Sequence, residues 1–124
     1  VVQGCRIRKV TFQPTFHKHT GIPTNGIELV TEGRFWDPAT FRPYRLVAAL
    51  LKAIHSRYPE LPLWTNPPYE YEYDRRPFDV ITGGYRLRRW IEDPCSRWED
   101  LDAEMQHDEN HWKELSPRSW VYPR

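Results

Sequence analysis

Cysteine, methionine and glycine are scarce in this 124-residue chain, at two, one and six residues. Cys5 and Cys95 stand far apart, without the CxxC or zinc-type spacing that marks a metal or redox motif. One disulfide or two free thiols both fit, and free thiols are the expectation. Charge of one sign is missing as well. Eighteen basic and seventeen acidic residues leave a net charge of +1, too even a balance for a dedicated nucleic-acid binder. No run approaches the roughly 20 apolar residues of a membrane span. No signal peptide is visible, and the opening Val1-Val2-Gln3-Gly4 without an initiating Met suits a processed product or an excised fragment. No Gly-rich phosphate loop follows a strand, and no Ser or Cys stands in a nucleophile elbow.

Proline and aromatic residues are abundant instead. Twelve Pro is about twice the usual share. Because the prolines sit beside aromatic and aliphatic residues, they point to long ordered loops rather than disorder. Six Trp, seven Tyr and five Phe supply large areas for a core or for stacking on sugar rings. The length suits one compact domain over residues 1–124, which can bury about two-thirds of its unfolded surface and needs no staples.

Alternation over residues 5–12 predicts a strand, with Ile7, Lys9 and Thr11 on one side and Arg6, Arg8, Val10 and Phe12 on the other. Pro14, Gly21, Pro23 and Asn25-Gly26 mark residues 13–26 as a long loop, and residues 27–31 predict a second strand. A helix is expected over 41–57, with Thr40 as N-cap and Pro43 in the first turn. Leu46, Val47, Leu50, Leu51, Ile54 and Tyr58 would be its core-facing stripe. Residues 69–73 read as a third strand, 78–81 as a turn of helix and 85–92 as a helix stopped at Asp93-Pro94. A last helix over 97–115, capped by Ser96, would face inward with Trp98, Leu101, Met105 and Trp112. Trp120 to Tyr122 would return as an edge strand. The expected fold is α+β, a small mixed sheet packed with about three helices and joined by long Pro-rich loops.

Two segments concentrate chemistry. The loop Pro14-Thr15-Phe16-His17-Lys18-His19-Thr20-Gly21 carries groups suited to sugar hydroxyls, an acetamido group or a carboxylate, and long loops in compact domains are often functional. It reads equally well as an ordered surface loop with Phe16 plugging the core. In Pro67-Pro68-Tyr69-Glu70-Tyr71-Glu72-Tyr73, a strand would place Glu70 and Glu72 on one face, at a separation compatible with a glycosidase carboxylate pair. A tyrosine core face with a solvated acidic face is the preferred reading of that pair taken alone. His107-Asp108-Glu109-Asn110-His111 is similar to a zincin HExxH, but Asp stands where the general base belongs and no third ligand is placed. It reads as a solvated helix face. Neither a metal nor another cofactor is expected.

The ordered set of segments resembles the C-terminal domain of the bacterial exo-β-N-acetylmuramidase (NamZ-like) family. The resemblance rests on Phe12-Gln13-Pro14-Thr15-Phe16-His17-Lys18-His19, Gly21 and Asn25-Gly26-Ile27-Glu28-Leu29. It continues through Phe41-Arg42-Pro43, Arg57-Tyr58-Pro59, Pro67-Pro68-Tyr69-Glu70-Tyr71-Glu72, Pro77-Phe78-Asp79-Val80-Ile81-Thr82-Gly83 and Trp120-Val121-Tyr122-Pro123. Two places depart from the family pattern: Thr24-Asn25-Gly26 stands where Cys-Gly-Gly is frequent, and the second strand lacks its usual His.

The resemblance implies a two-domain protein that releases N-acetylmuramic acid from peptidoglycan fragments, in the periplasm or outside the cell. A Rossmann-like N-terminal domain would carry the catalytic carboxylates, and this chain would be the accessory domain that walls the cleft. Catalytic residues would then be absent here. Thr15, Phe16, His17, Lys18, Tyr69, Glu70 and Tyr71 would face substrate or dock the partner domain. The rival expectations are a stand-alone carbohydrate- or protein-interaction module with an aromatic face, and a small hydrolase using Glu70 with His17 or His19.

Overall fold

The computed structural model describes residues 3–122. The elements in chain order are β1 (Arg6–Phe12), β2 (Thr24–Val30), a 3-10 turn (Gly33–Phe35), α1 (Pro43–Arg57), α2 (Pro77–Ile81), α3 (Arg86–Glu92), α4 (Trp98–Leu115) and a second 3-10 turn (Ser116–Ser119). The α+β class stands. The chain divides into two compact units, Val1–Leu46 and Val47–Arg124.

In the first unit β1 and β2 form a two-stranded antiparallel sheet, with Arg6 opposite Val30 and Phe12 opposite Thr24. The second strand starts three residues before the expected Ile27. Pairing explains the extension: Thr24 and Asn25 meet Phe12 and Thr11, and the Thr11 hydroxyl donates to Asn25 Oδ1 at 2.9 Å. The two faces follow the alternation, since Ile7 opposes Leu29 on one side while Arg8 pairs with Glu28 on the other. No residue of either strand is fully buried. Gly4 holds the entry to the sheet with φ +71, and its carbonyl accepts the Asp37 N–H at 3.0 Å. A Cβ there would lie 2.3 Å from the Asp37 carbonyl oxygen, so only glycine fits.

Asp37 also organises the approach to α1. Its carboxylate accepts from the Ala39 N–H at 2.9 Å and the Thr40 hydroxyl at 2.8 Å. Those bonds hold its pKa below the ordinary carboxylate value, the Thr40 hydroxyl contributing most. Thr40 therefore serves the turn before the helix instead of capping it, and α1 begins at Pro43.

The second unit has the hydrophobic core. Ala48, Leu87, Trp90, Ile91 and Leu101 are buried together, with Leu51, Trp64, Phe78, Trp98 and Met105 packed against them. Within this unit α1 turns Ala48 and Leu51 inward, while the stripe residues Val47, Ile54 and Tyr58 are exposed. Of the expected stripe Leu46 is buried and Leu51 packs inward, but Ala48 joins the core where the pattern passed over it, because alanine counts for little in a hydrophobic pattern. Yet Ala48 is the residue small enough to admit close packing. In α4, Trp98, Leu101 and Met105 face the core as expected, but Trp112 is exposed. Asp100 begins that helix by accepting the Arg97 N–H at 2.7 Å. The expected cap Ser96 is turned elsewhere.

Two expected strands are absent. Residues 69–73 fold into a tight turn with one bridge between Tyr69 and Glu72, and Trp120 to Tyr122 have no strand pairing. Among the described residues the second unit contains no named strand that could pair with either. Both cysteines are free thiols.

Candidate functional site

Residues 13–23 connect β1 to β2 as a compact loop. The Gly21 N–H donates to the Pro14 carbonyl at 2.9 Å and closes its base. Inside, the Thr20 hydroxyl donates to the His17 carbonyl at 2.6 Å, and the Ile22 N–H to the His19 carbonyl at 3.0 Å. His17 and His19 both sit at φ 59, a left-handed conformation uncommon for residues with a Cβ. The bonds around the loop hold it there. Thr15, Phe16, His17, Lys18 and His19 are all exposed. Phe16 is 71% exposed, with its ring against His17 in an edge arrangement at 5.0 Å. It does not plug a core.

The segment 67–76 belongs to the second unit and is built differently. Tyr69 and Glu72 exchange backbone hydrogen bonds at 2.9 Å in both directions, which leaves Glu70 and Tyr71 at the corners of the turn. Glu70 takes φ 50, and Tyr71 is 92% exposed. Glu72 bends back to accept the Asp74 and Arg75 N–H groups, each at 3.1 Å, and Arg75 Nε at 2.6 Å. The Arg75 hydrogen bond, with those two backbone bonds, brings the Glu72 carboxyl from its ordinary 4.5 to about 2. The expectation of Glu70 and Glu72 side by side on a strand face is thus overturned. Glu72 is committed to fixing the loop, and a carboxylate held ionised so far down is a poor proton donor near neutral pH.

Sequence reasoning missed a third cluster, around Lys52 on α1. Its ammonium donates to the Trp90 carbonyl at 2.8 Å, the Asp93 carbonyl at 2.7 Å and Ser96 Oγ at 2.7 Å. It also lies 4.7 Å from the Trp90 ring centroid. The last carbonyls of a helix lack intrahelical partners, and a cation at that end is favoured. Lys52 supplies both for α3. Burial pushes its pKa down, with the Asp93 charge acting in the opposite direction. Ser96 turns inward to this cluster, donating to the Asp93 carbonyl at 3.0 Å, which is why it does not cap α4. An open groove of about 330 Å³ runs past Ala49, Ala53, Ser56, Trp90 and Trp98. The available signal was a single Lys within the apolar run from Leu46 to Ile54.

Among the described residues, no group of three or more His, Cys, Asp or Glu could hold a metal ion, and His107 and His111 are exposed on α4. No helix among the described residues is long and apolar enough to cross a membrane.

The family model for the C-terminal part of the exo-β-N-acetylmuramidase NamZ matches residues 1–122. The chain belongs to this family. A NamZ C-terminal domain implies a catalytic partner domain. No curated protein and no solved structure matches the chain.

Proposed function

We propose that this chain is the accessory domain of an exo-β-N-acetylmuramidase and helps to wall the cleft where a partner domain cleaves N-acetylmuramic acid from peptidoglycan fragments. Family membership over residues 1–122 carries the reading. The chemistry of the carboxylates supports it. Of the pair that could have formed an acid–base couple, Glu72 is tied up by Arg75, and Glu70 stands exposed at a turn corner. In this reading the principal catalytic groups sit on an N-terminal Rossmann-like domain. Thr15, Phe16, His17 and Lys18, and separately Tyr69, Glu70 and Tyr71, offer surfaces for substrate or for the partner domain.

A chromogenic N-acetylmuraminide tests this directly. The 124-residue chain alone should not hydrolyse it, whereas the protein containing both domains should. Turnover by the isolated, folded chain would overturn the assignment of catalysis to the partner domain.

The near-complete exposure of Tyr71 favours one second reading, a stand-alone interaction module using that aromatic face. Under it the isolated chain would bind muropeptides unaided, and Tyr71→Ala would weaken that binding.

A further inference from the structure

The near-neutral total charge hides a local imbalance. The first 27 residues contain no Asp or Glu, yet carry Arg6, Arg8, Lys9 and Lys18 together with His17 and His19. Two of these cations are engaged: Arg8 pairs with Glu28, and Arg6 lies 5.1 Å over the Phe35 ring. Lys18 is exposed at the loop tip, and among the described residues no carboxylate pairs with it. His17 and His19 flank it in left-handed conformations. Phe16 stands beside them with its ring largely in solvent. A hydrogen-bonded loop thus presents a cation, two imidazoles and an aromatic face within four consecutive residues. An aromatic face packs on the C–H side of a pyranose, and a charge-assisted bond from an ammonium recognises a carboxylate. A neutral sugar would use the ring and could accept a hydrogen bond from the ammonium, but would forgo the stronger bond between two opposite charges.

We propose that Phe16, His17, Lys18 and His19 form a carboxylate-reading element for an acidic saccharide, with Lys18 the specificity-determining charge. The proposal rests on the muramidase reading, because a muramic sugar is an N-acetylglucosamine bearing a lactyl acid. The carboxylate is the lactyl one, or one on a peptide attached to it. Lys18 acts on substrate choice and takes no part in bond cleavage.

The test uses the protein with both domains, comparing wild type, Lys18→Met and Lys18→Arg. Calorimetry measures binding of N-acetylmuramic acid, its methyl ester and N-acetylmuramoyl-L-alanyl-D-isoglutamine. Loss of one charged hydrogen bond should weaken binding of the free acid about tenfold in Lys18→Met. Methyl-ester affinity should match in wild type and Lys18→Met, and Lys18→Arg should recover most of the loss. A Lys18-dependent preference for the free acid identifies the lactyl carboxylate, and one for the dipeptide identifies the peptide carboxylate. Equal wild-type affinity for all three ligands, or a loss in Lys18→Met as large for the ester as for the free acid and the dipeptide, overturns the proposal and leaves the muramidase reading standing. Acid-dependent binding without hydrolysis of any muraminide sinks the muramidase reading instead. Equal melting temperatures of the three proteins establish that the loop change has not disturbed folding.

Discussion

Arg88 grips Asp79 with two sides of its guanidinium, Nε to Oδ1 at 2.8 Å and Nη2 to Oδ2 at 2.9 Å. The remaining arm reaches Glu92 at 3.1 Å. Both side chains are largely shielded from water, so the pair fastens α2, a helix of five residues that has no buried residue of its own. Asp79→Ala should cost about 2–3 kcal/mol, below the full cost of breaking a fully buried pair because some solvent reaches it. Arg88→Lys should recover little, since an ammonium cannot make the parallel double bond. Urea denaturation measures both. A change under about 0.5 kcal/mol for Asp79→Ala, the range of ordinary surface substitutions, would mean that α2 is held by packing alone.

Lys52 offers a second test. Lys52→Met keeps most of the aliphatic stem but removes the three ammonium hydrogen bonds to the Trp90 and Asp93 carbonyls and to Ser96, leaving the Ser96 hydroxyl as a donor to those carbonyls. Losing these charge-assisted bonds should cost about 1–3 kcal/mol. The emission of Trp90 should shift as the end of α3 loosens. Unchanged stability and emission would show that water replaces the ammonium without loss.

Glu72 sets a pH dependence. Its folded carboxyl titrates near 2 instead of the ordinary 4.5. A depressed folded value stabilises the ionised native state, so the contribution is complete above pH 4.5 and fades as pH falls through about 2. Carbon-detected NMR titration should place Glu72 as the most acidic glutamate that it resolves. In Arg75→Ala the midpoint should rise while staying below 4.5, because the Asp74 and Arg75 N–H bonds persist. An unchanged midpoint would remove Arg75 as the leading cause.

Two glycines separate strain from collision. Gly4→Ala meets the Asp37 carbonyl oxygen at 2.3 Å and the Phe41 nitrogen at 2.7 Å, besides a left-handed φ. It should destabilise by more than about 2 kcal/mol. Gly83→Ala has a φ of +80 but open space, and should cost about 1 kcal/mol from backbone strain alone. Equal thermal shifts for the two would contradict the close approach at Gly4.

The hairpin and the four helices were legible because each rests on a local signal: alternation over residues 6–12, Pro43 opening α1, Gly83-Gly84 after α2, and Asp93-Pro94 after α3. The 69–73 segment misled because its Tyr/Glu alternation has the period of a strand, while the chain reverses at Glu70 and Tyr71 and bridges Tyr69 to Glu72. Only the geometry reveals that Glu72 faces Arg75. The loop at 14–21 was identifiable as a surface of interest, and the exposure of Phe16 resolves which way it points. Lys52 was invisible for a different reason: its partners are backbone carbonyls and a serine some 40 positions away, and no residue type announces a carbonyl.

Of the four lysines, Lys9, Lys18 and Lys113 are exposed, whereas Lys52 directs three hydrogen bonds into its own unit. An amine with its three donors so engaged must break those hydrogen bonds before it attacks an acylating reagent. Brief acetylation of the native chain would therefore modify the three outer lysines and spare this one. Uptake at Lys52 would then report opening of the α3 end, so the chain carries its own chemical clock for that event.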